Sequence, residues 1–275
     1  MNESIKESTK LVWGTTPAGW TYAEGHPKGT KEFFQAVLKK RFTEECDWMS
    51  DVVQFERFNG KKVLEIGCGA GYDAYQFCKN GAQYTGIDIT PDNPIIAKKH
   101  LSLFGFDAKF LEMDVETLSL DEKFDYVYSF GVLHHTPDLK KALKNIHHVL
   151  KKDGEAQLIV YYRWSIFYII RVVLFNWILK MKFLSMSLED LRSQIEYTVT
   201  NAKPLVNVYS QAEFSRFCQD AGFKIIKADI RKLVREDLPA IPLVKKLYPR
   251  IPDSWLNILA KKYGWYLSLR MTKSF

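Results

Sequence analysis

Cysteine is scarce in this chain. Cys46, Cys68, Cys78 and Cys218 are the four in 275 residues. No two make a Cys-x-x-Cys pair or share a zinc-type spacing with histidine, which argues against both a structural zinc site and a disulfide framework. A reducing compartment, the cytoplasm, is the expectation. No His-x-x-His, His-Glu-x-x-His or two-histidine-one-carboxylate spacing occurs, so no metal is expected. Internal repeats and low-complexity linkers are missing too. The first ten residues are polar and charged, without the apolar run of a secretory signal. Blocks of one charge sign are absent as well. The net charge of +7 is carried by scattered lysine pairs such as Lys39–Lys40 and Lys98–Lys99. With no arginine–aromatic stripe among them, a solvated surface is expected and nucleic acid is not.

What is present alternates. Short apolar runs at 62–67, 83–88, 108–113, 124–130 and 155–162 read as buried strands. Between them, 72–80 and 94–104 read as helices closed by Gly81 and Gly105. Residues 138–150 form an amphipathic helix with Asp138 as N-cap, and Leu139, Ala142, Leu143, Ile146, Val149 and Leu150 fall on one face. Strands alternating with helices predict a parallel sheet covered on both faces. Ahead of this core, 30–58 reads as mostly helical. Behind it, 210–221 reads as a helix, and 223–232 and 266–273 as two further strands, which makes seven. The stretch between those strands holds Pro239, Pro242, Pro249 and Pro252 and predicts short helices rather than one long one.

The chemistry concentrates at Val63-Leu64-Glu65-Ile66-Gly67-Cys68-Gly69-Ala70-Gly71, a strand running into a glycine-rich turn and then a helix. Glycines suit places where backbone must come close to a ligand or take positive φ. The turn also falls at the carboxyl end of the first strand, where open α/β sheets bind ligands. A dinucleotide fingerprint would need its third glycine at Tyr72. The spacing here is G-x-G-x-G, preceded by Glu65.

This stretch resembles the first motif of class I S-adenosylmethionine-dependent methyltransferases. The later pieces fall where that family would put them: Gly86-Ile87-Asp88, Met113-Asp114-Val115, and Phe124-Asp125-Tyr126-Val127 through Ser129-Phe130-Gly131-Val132-Leu133-His134-His135. The Val-Leu-His-His tail is similar to the small-molecule branch that includes the ubiquinone and menaquinone methyltransferases. Lys151-Lys152-Asp153-Gly154-Glu155 departs from the family's usual Pro-Gly-Gly, which loosens a turn but touches no ligand role.

The resemblance implies a Rossmann-like seven-stranded, mostly parallel α/β sheet with an antiparallel last strand and a helical cap. It implies S-adenosyl-L-methionine as cofactor and S-adenosyl-L-homocysteine as product. Asp88 would accept from the two ribose hydroxyls, a role that suits a carboxylate's two oxygens. Asp114 would accept from the adenine amino group, and Glu65 would brace the loop. Gly67, Cys68, Gly69, Gly71, Ile89, Val115 and Phe130 complete the expected cofactor contacts. His134 or His135 could act as general base or only shape the pocket floor. Four regions are expected: a flap with helices over 1–60, a cofactor core over 61–162, a cap over 163–209, and the closing part of the sheet over 210–275.

The run Trp13-Gly14-Thr15-Thr16-Pro17-Ala18-Gly19-Trp20-Thr21-Tyr22 is aromatic and uncharged, and reads as a flap with Trp13, Trp20 or Tyr22 lining the pocket. Tyr161, Tyr162 and Arg163, at the end of the fifth strand, are candidate acceptor contacts. Residues 164–184 are apolar on every side. Arg171, Asn176, Lys180 and Lys182 make a membrane span costly. The stretch reads as a helical lid over an apolar, lipid-like acceptor, with peripheral membrane contact as the alternative. No [ND]-P-P-[YF] segment stands at the fourth strand and no Pro-Cys nucleophile occurs, so a small-molecule acceptor is expected over adenine, glutamine or cytosine. A nicotinamide-dependent oxidoreductase and a non-catalytic cofactor-binding scaffold remain the rival readings.

Overall fold

The computed structural model describes residues 2–15, 17–196, 202–238 and 241–274. Thr16 in the flap, residues 197–201 in the cap and Pro239 lie outside the described residues.

The chain opens with helix α1, Asn2–Thr15. Its amphipathic signature is faint, because its buried stripe is only Thr9 and Val12. Helix α2, Lys31–Lys40, is capped by Thr30, whose hydroxyl accepts from the Phe33 backbone N–H at 3.2 Å, and it buries Phe33, Phe34, Val37 and Leu38. Its continuation over Arg41–Glu45 widens to i→i+5 bonding before helix α3, Met49–Val53.

Strand β1, Lys62–Ile66, leads through the glycine turn into α4, Tyr72–Lys79. Strand β2, Gln83–Asp88, is followed by α5, Asp92–Leu103. This helix starts ahead of Pro94, because proline costs nothing in a first turn whose N–H groups have no intrahelical partner. Next come β3, Lys109–Glu112, β4, Phe124–Phe130, and α6, Leu139–Val149. Asp138 caps α6 as expected, its side chain accepting from Lys141 N–H.

Strand β5 runs over Leu150–Tyr161, five residues longer at its start than the sequence suggested. The expected turn at 151–154 is instead extended backbone with a register shift against β4 between Phe124 and Tyr126. Lys151 is anchored to the Asp125 carboxylate at 2.9 Å, and Gly154 lies close against Leu150.

The segment after β5, where the cap is expected, begins with a wide helix over Phe167–Leu179, which ends near a left-handed residue at Met181, and continues through α7, Leu188–Ser193. Helix α8, Gln211–Asp220, carries a Ser210/Glu213 capping box. Strand β6, Phe223–Arg231, and strand β7, Tyr266–Lys273, flank short α9, Pro242–Lys245, and α10, Asp253–Tyr263.

The seven strands lie in the order β3-β2-β1-β4-β5-β7-β6. β1 through β5 pair parallel, whereas β7 runs antiparallel to both β5 and β6. Both faces are covered, so central strands bury successive side chains rather than every second one. On β4, Val127 packs with Leu64, Leu143, Ile146 and Phe214, while Tyr126 and Tyr128 pack with Val63, Phe77 and Met49 on the opposite face. This puts the ends of β1, β2, β3 and β4 along one edge. Among the described residues, no helix is long and apolar enough to cross a membrane.

Candidate active site

The turn after β1 opens at Gly67, whose backbone is left-handed at φ 73°. A Cβ there would stand 2.1 Å from Val132 Cγ2, so the position excludes side chains on two counts. Gly69 is also left-handed, at φ 49°, but nothing lies within 4 Å of where its Cβ would be. The backbone is therefore bare at Gly69, on the cavity wall. Gly71 is different: it presses against Ala97 and Leu101 of α5 and sits off the wall.

The end of β2 fixes this loop. Gly67 and Cys68 donate their N–H groups to the Ile87 carbonyl at 2.7 and 3.0 Å. Asp88 Oδ2 accepts from Gly69 N–H at 2.9 Å, and Oδ1 accepts from Thr90 N–H and its hydroxyl, both at 2.9 Å. Asp88 is thus oriented by three donors and lines the cavity. Glu65 lines it too and accepts from the Tyr84 hydroxyl. Burial, with the nearby Asp73 charge next in weight, pushes the Glu65 carboxyl well above its usual range.

Asp114 follows β3. Its Oδ1 accepts from Glu116 N–H at 2.8 Å and its Oδ2 from Lys6 Nζ at 2.6 Å. Lys6 also lies 2.6 Å from Glu116 Oε2, so one ammonium of α1 serves two carboxylates.

Glu65, Gly67, Gly69, Asp88, Asp114, Glu116 and Lys6 border one cavity of about 410 Å³, within the range of small-molecule sites. Cys68, Ile89, Val115 and Phe130 line it at the loop end, and Trp13, Trp20, Tyr22, Tyr161 and His135 line it elsewhere. Tyr162 and Arg163 do not. Tyr162 bridges to Tyr209, and Arg163 pairs with Glu213 at 2.7 Å, which ties both to the chain around residues 209–213.

The two histidines part company. His134 is fully buried, stacked on Tyr161 with ring centroids 3.7 Å apart, and is not on the cavity wall. Burial holds its pKa well below 6.5, with the His135 neighbour next in weight. His135 reaches the wall, with Nδ1 2.6 Å from the Leu205 carbonyl. Burial lowers its pKa as well, opposed by the Glu196 charge and the Leu205 carbonyl.

Sequence reading missed several wall residues: Lys6, Arg41, Glu45, Asp73, Glu116, Glu196 and Tyr266. Arg41 forms a two-pronged pair with Asp73, Nε to Oδ1 at 2.7 Å and NH2 to Oδ2 at 2.8 Å, and the Tyr128 hydroxyl adds a bond to Asp73 at 3.1 Å. Asp73 follows the glycine turn directly and could have been suspected. Its partner, 32 positions away, had no local signal.

A glycine turn at the first strand's carboxyl end, acids ending the second and third strands, and an antiparallel seventh strand together define a class I methyltransferase fold. The chain belongs to the methyltransferase-domain family of class I S-adenosylmethionine-dependent enzymes, whose model matches residues 37–228. It is similar to a ubiquinone biosynthesis O-methyltransferase of Haemophilus ducreyi, 35% identical over 128 residues, which cover 44% of this chain and 54% of that protein. A protein of the same name from Pseudomonas entomophila is 28% identical over 137 residues, 49% and 58% of the two chains. The chain thus spans about half the length of the curated relatives it matches. Among solved structures, the magnesium protoporphyrin IX methyltransferase of Synechocystis PCC 6803 with bound S-adenosylhomocysteine aligns over 98% of this chain and 100% of its own, with a TM-score of 0.61 and 14% identity. A methyltransferase of Clostridium acetobutylicum aligns over 88% and 98%, with a TM-score of 0.55 and 11% identity. These two likenesses concern the fold.

Proposed function

We propose that this chain transfers the methyl group of S-adenosyl-L-methionine to a small, largely apolar acceptor by direct in-line displacement. One observation carries the reading: the glycine loop with Asp88 and Asp114, and the aromatic side chains Trp13, Tyr22, Tyr161 and Tyr266, border a single cavity.

In this reading Asp88 accepts from the ribose hydroxyls and Asp114 from the adenine amino group. Glu65, Gly67, Cys68, Gly69, Ile89, Val115 and Phe130 line the cofactor end, and Gly71 sets the start of α4. The acceptor sits under the flap of 1–60 and the cap of 163–209, against the core of 61–162, while 210–275 completes the sheet. The sulfonium methyl is already electrophilic, so most of the acceleration comes from alignment and from excluding water. His135 takes a proton where the acceptor must lose one, whereas His134 shapes the packing behind it. Tyr162 and Arg163 support the cap connection and receive no acceptor role.

The test is S-adenosylhomocysteine formation from S-adenosylmethionine with four acceptor classes: apolar phenols, fatty acids, an oligonucleotide and a peptide. Turnover with the apolar small molecules alone supports the reading. Turnover confined to the oligonucleotide or peptide contradicts it.

A second reading is favoured by the cap surface. Leu179 and Leu184 are 63% and 70% exposed, beside exposed Leu174, Ile178 and Phe183. Lys180 and Lys182 stand among them. Apolar side chains with adjacent lysines suit contact with an anionic lipid surface. Cosedimentation with vesicles containing phosphatidylserine, but not with pure phosphatidylcholine vesicles, would support that reading, and equal sedimentation with neither would remove it.

A further inference from the structure

We propose that Glu196 of the cap and His135 of the core form a proton-accepting pair, so that the acceptor is a protic group, a hydroxyl or an amine that still carries its proton when it binds. This rests on the methyl-transfer reading above and specifies the chemistry of its acceptor.

The tautomer of His135 follows from its neighbour. A backbone carbonyl only accepts, so Nδ1, 2.6 Å from the Leu205 carbonyl, must carry the hydrogen. The neutral ring then has its lone pair on Nε2. That atom is buried and has no hydrogen-bond partner, and its ring is on the cavity wall. Across from it, Glu196 Oε1 stands 3.8 Å away. The same Glu196 oxygen accepts from the Tyr161 hydroxyl, which aims the carboxylate. Two acceptors therefore face each other at a separation too wide for a hydrogen bond, and neither brings a proton. A bound X–H group supplies what this arrangement lacks.

Burial opposes a proton on His135, and of the charged groups around it Glu196 is the one that favours the proton. The Trp13 ring, 5.6 Å from His135, is neutral, and so is the Tyr161 phenol. His134 packs 4.1 Å from His135, and its burial keeps it uncharged. Lys6, the α1 cation on the cavity wall, is engaged by Asp114 and Glu116. The charge acting on His135 is that of Glu196, which stands at ion-pair distance once Nε2 is protonated.

The step balances. A lone pair of the acceptor atom forms the new bond to the methyl carbon, and the carbon–sulfur bond breaks with its electron pair passing to sulfur. The electrons of the X–H bond stay on X, and the proton moves to His135 Nε2. Glu196 is a positioning residue that stabilises the imidazolium. Because it belongs to the cap, the pair is complete only when the cap is seated on the core.

The experiment is nitrogen NMR of the full chain with labelled histidine, saturated with S-adenosylhomocysteine, in native protein, Glu196→Gln and Glu196→Asp. We expect His135 to show the Nδ1–H tautomer. We expect its titration midpoint to fall by about one pH unit or more in Glu196→Gln, as loss of an adjacent opposite charge requires, and to be largely restored in Glu196→Asp. Calorimetry of S-adenosylhomocysteine on each variant shows whether the fold and the cofactor end are intact. An unchanged His135 midpoint in a Glu196→Gln protein that still binds would overturn the pairing. An Nε2–H tautomer in native protein would also overturn it. So would Co²⁺ broadening of both His134 and His135 signals that Glu196→Gln abolishes, because the pair would then be holding a cation. Failure of the native chain to bind S-adenosylhomocysteine would contradict the methyltransferase reading instead.

Discussion

Lys6 Nζ lies 2.6 Å from Asp114 Oδ2 and 2.6 Å from Glu116 Oε2, which ties the first helix of the chain to the end of the third strand. The ammonium separates two carboxylates that would otherwise face each other, and the three side chains are at most 20% exposed. Lys6→Met should lower unfolding free energy by about 1–3 kcal/mol, the cost of leaving buried polar partners unmatched. The loss should be smaller in Lys6→Arg, which keeps the positive charge. Urea unfolding of native, Lys6→Met and Lys6→Arg protein measures this. An equal loss in both variants would show that charge is not what Lys6 supplies.

Gly67 and Gly69 should respond differently to the same change. Both have positive φ, but only Gly67 has a neighbour, Val132, in the way of a Cβ. Gly67→Ala should destabilise by about 1–3 kcal/mol through strain and overpacking. Gly69→Ala should cost only about 1 kcal/mol of backbone strain, yet it should impair cofactor binding, since its Cβ would project into the open side of the turn. Thermal unfolding paired with calorimetry separates the two. Equal behaviour would mean that Gly69 is only a turn residue.

His100 predicts an acid-side loss of stability. Its ring stacks on Phe34 at a centroid distance of 3.8 Å, and Nδ1 lies 2.9 Å from the Ala70 carbonyl. Burial lowers its pKa from 6.5 to about 4. Between those two values the unfolded chain takes up a proton that the folded chain refuses. Stability therefore falls as pH drops through that window and levels off below about 4, with a slope of at most about 1.4 kcal/mol per pH unit. His134 and His135 are lowered by burial too and add in the same direction. His100→Gln should make the dependence shallower between pH 6.5 and 4 by up to one proton. An unchanged slope would show that His100 titrates freely in the folded state.

Much of this was legible beforehand because it is local. The strand–turn–helix around Gly67 and the Asp138 cap each sit within a few residues of their partners, and the acids after β2 and β3 stand at strand ends that the apolar runs mark out. The largely apolar and aromatic β4 also announced a sheet buried on both faces. What was not legible depends on distant parts of the chain. Helix α1 carries too thin an apolar stripe to stand out, and its role comes from Lys6 meeting Asp114, 108 positions on. Glu196 reaches His135 only because the cap folds back, so no spacing could have disclosed it. His134 and His135 looked equivalent as neighbours, but the short turn at Leu133–His135 sends one ring into the core and the other to the cavity. Residues 151–154 misled because their local composition, a glycine and two lysines, suggests a turn, whereas Asp125, 26 positions away, anchors Lys151 in extended backbone.

The central claim is that the cavity behind Gly67–Gly71 holds S-adenosylmethionine through Asp88. It is tested most directly by isothermal calorimetry of S-adenosylmethionine and S-adenosylhomocysteine against native protein and Asp88→Ala. We predict binding in the micromolar range to native protein. Asp88→Ala should weaken it by about 1.5–3 kcal/mol, roughly tenfold to a hundredfold, as expected for hydrogen bonds to a charged group. Absence of binding of both ligands to the native chain, or equal binding by Asp88→Ala, would contradict the account.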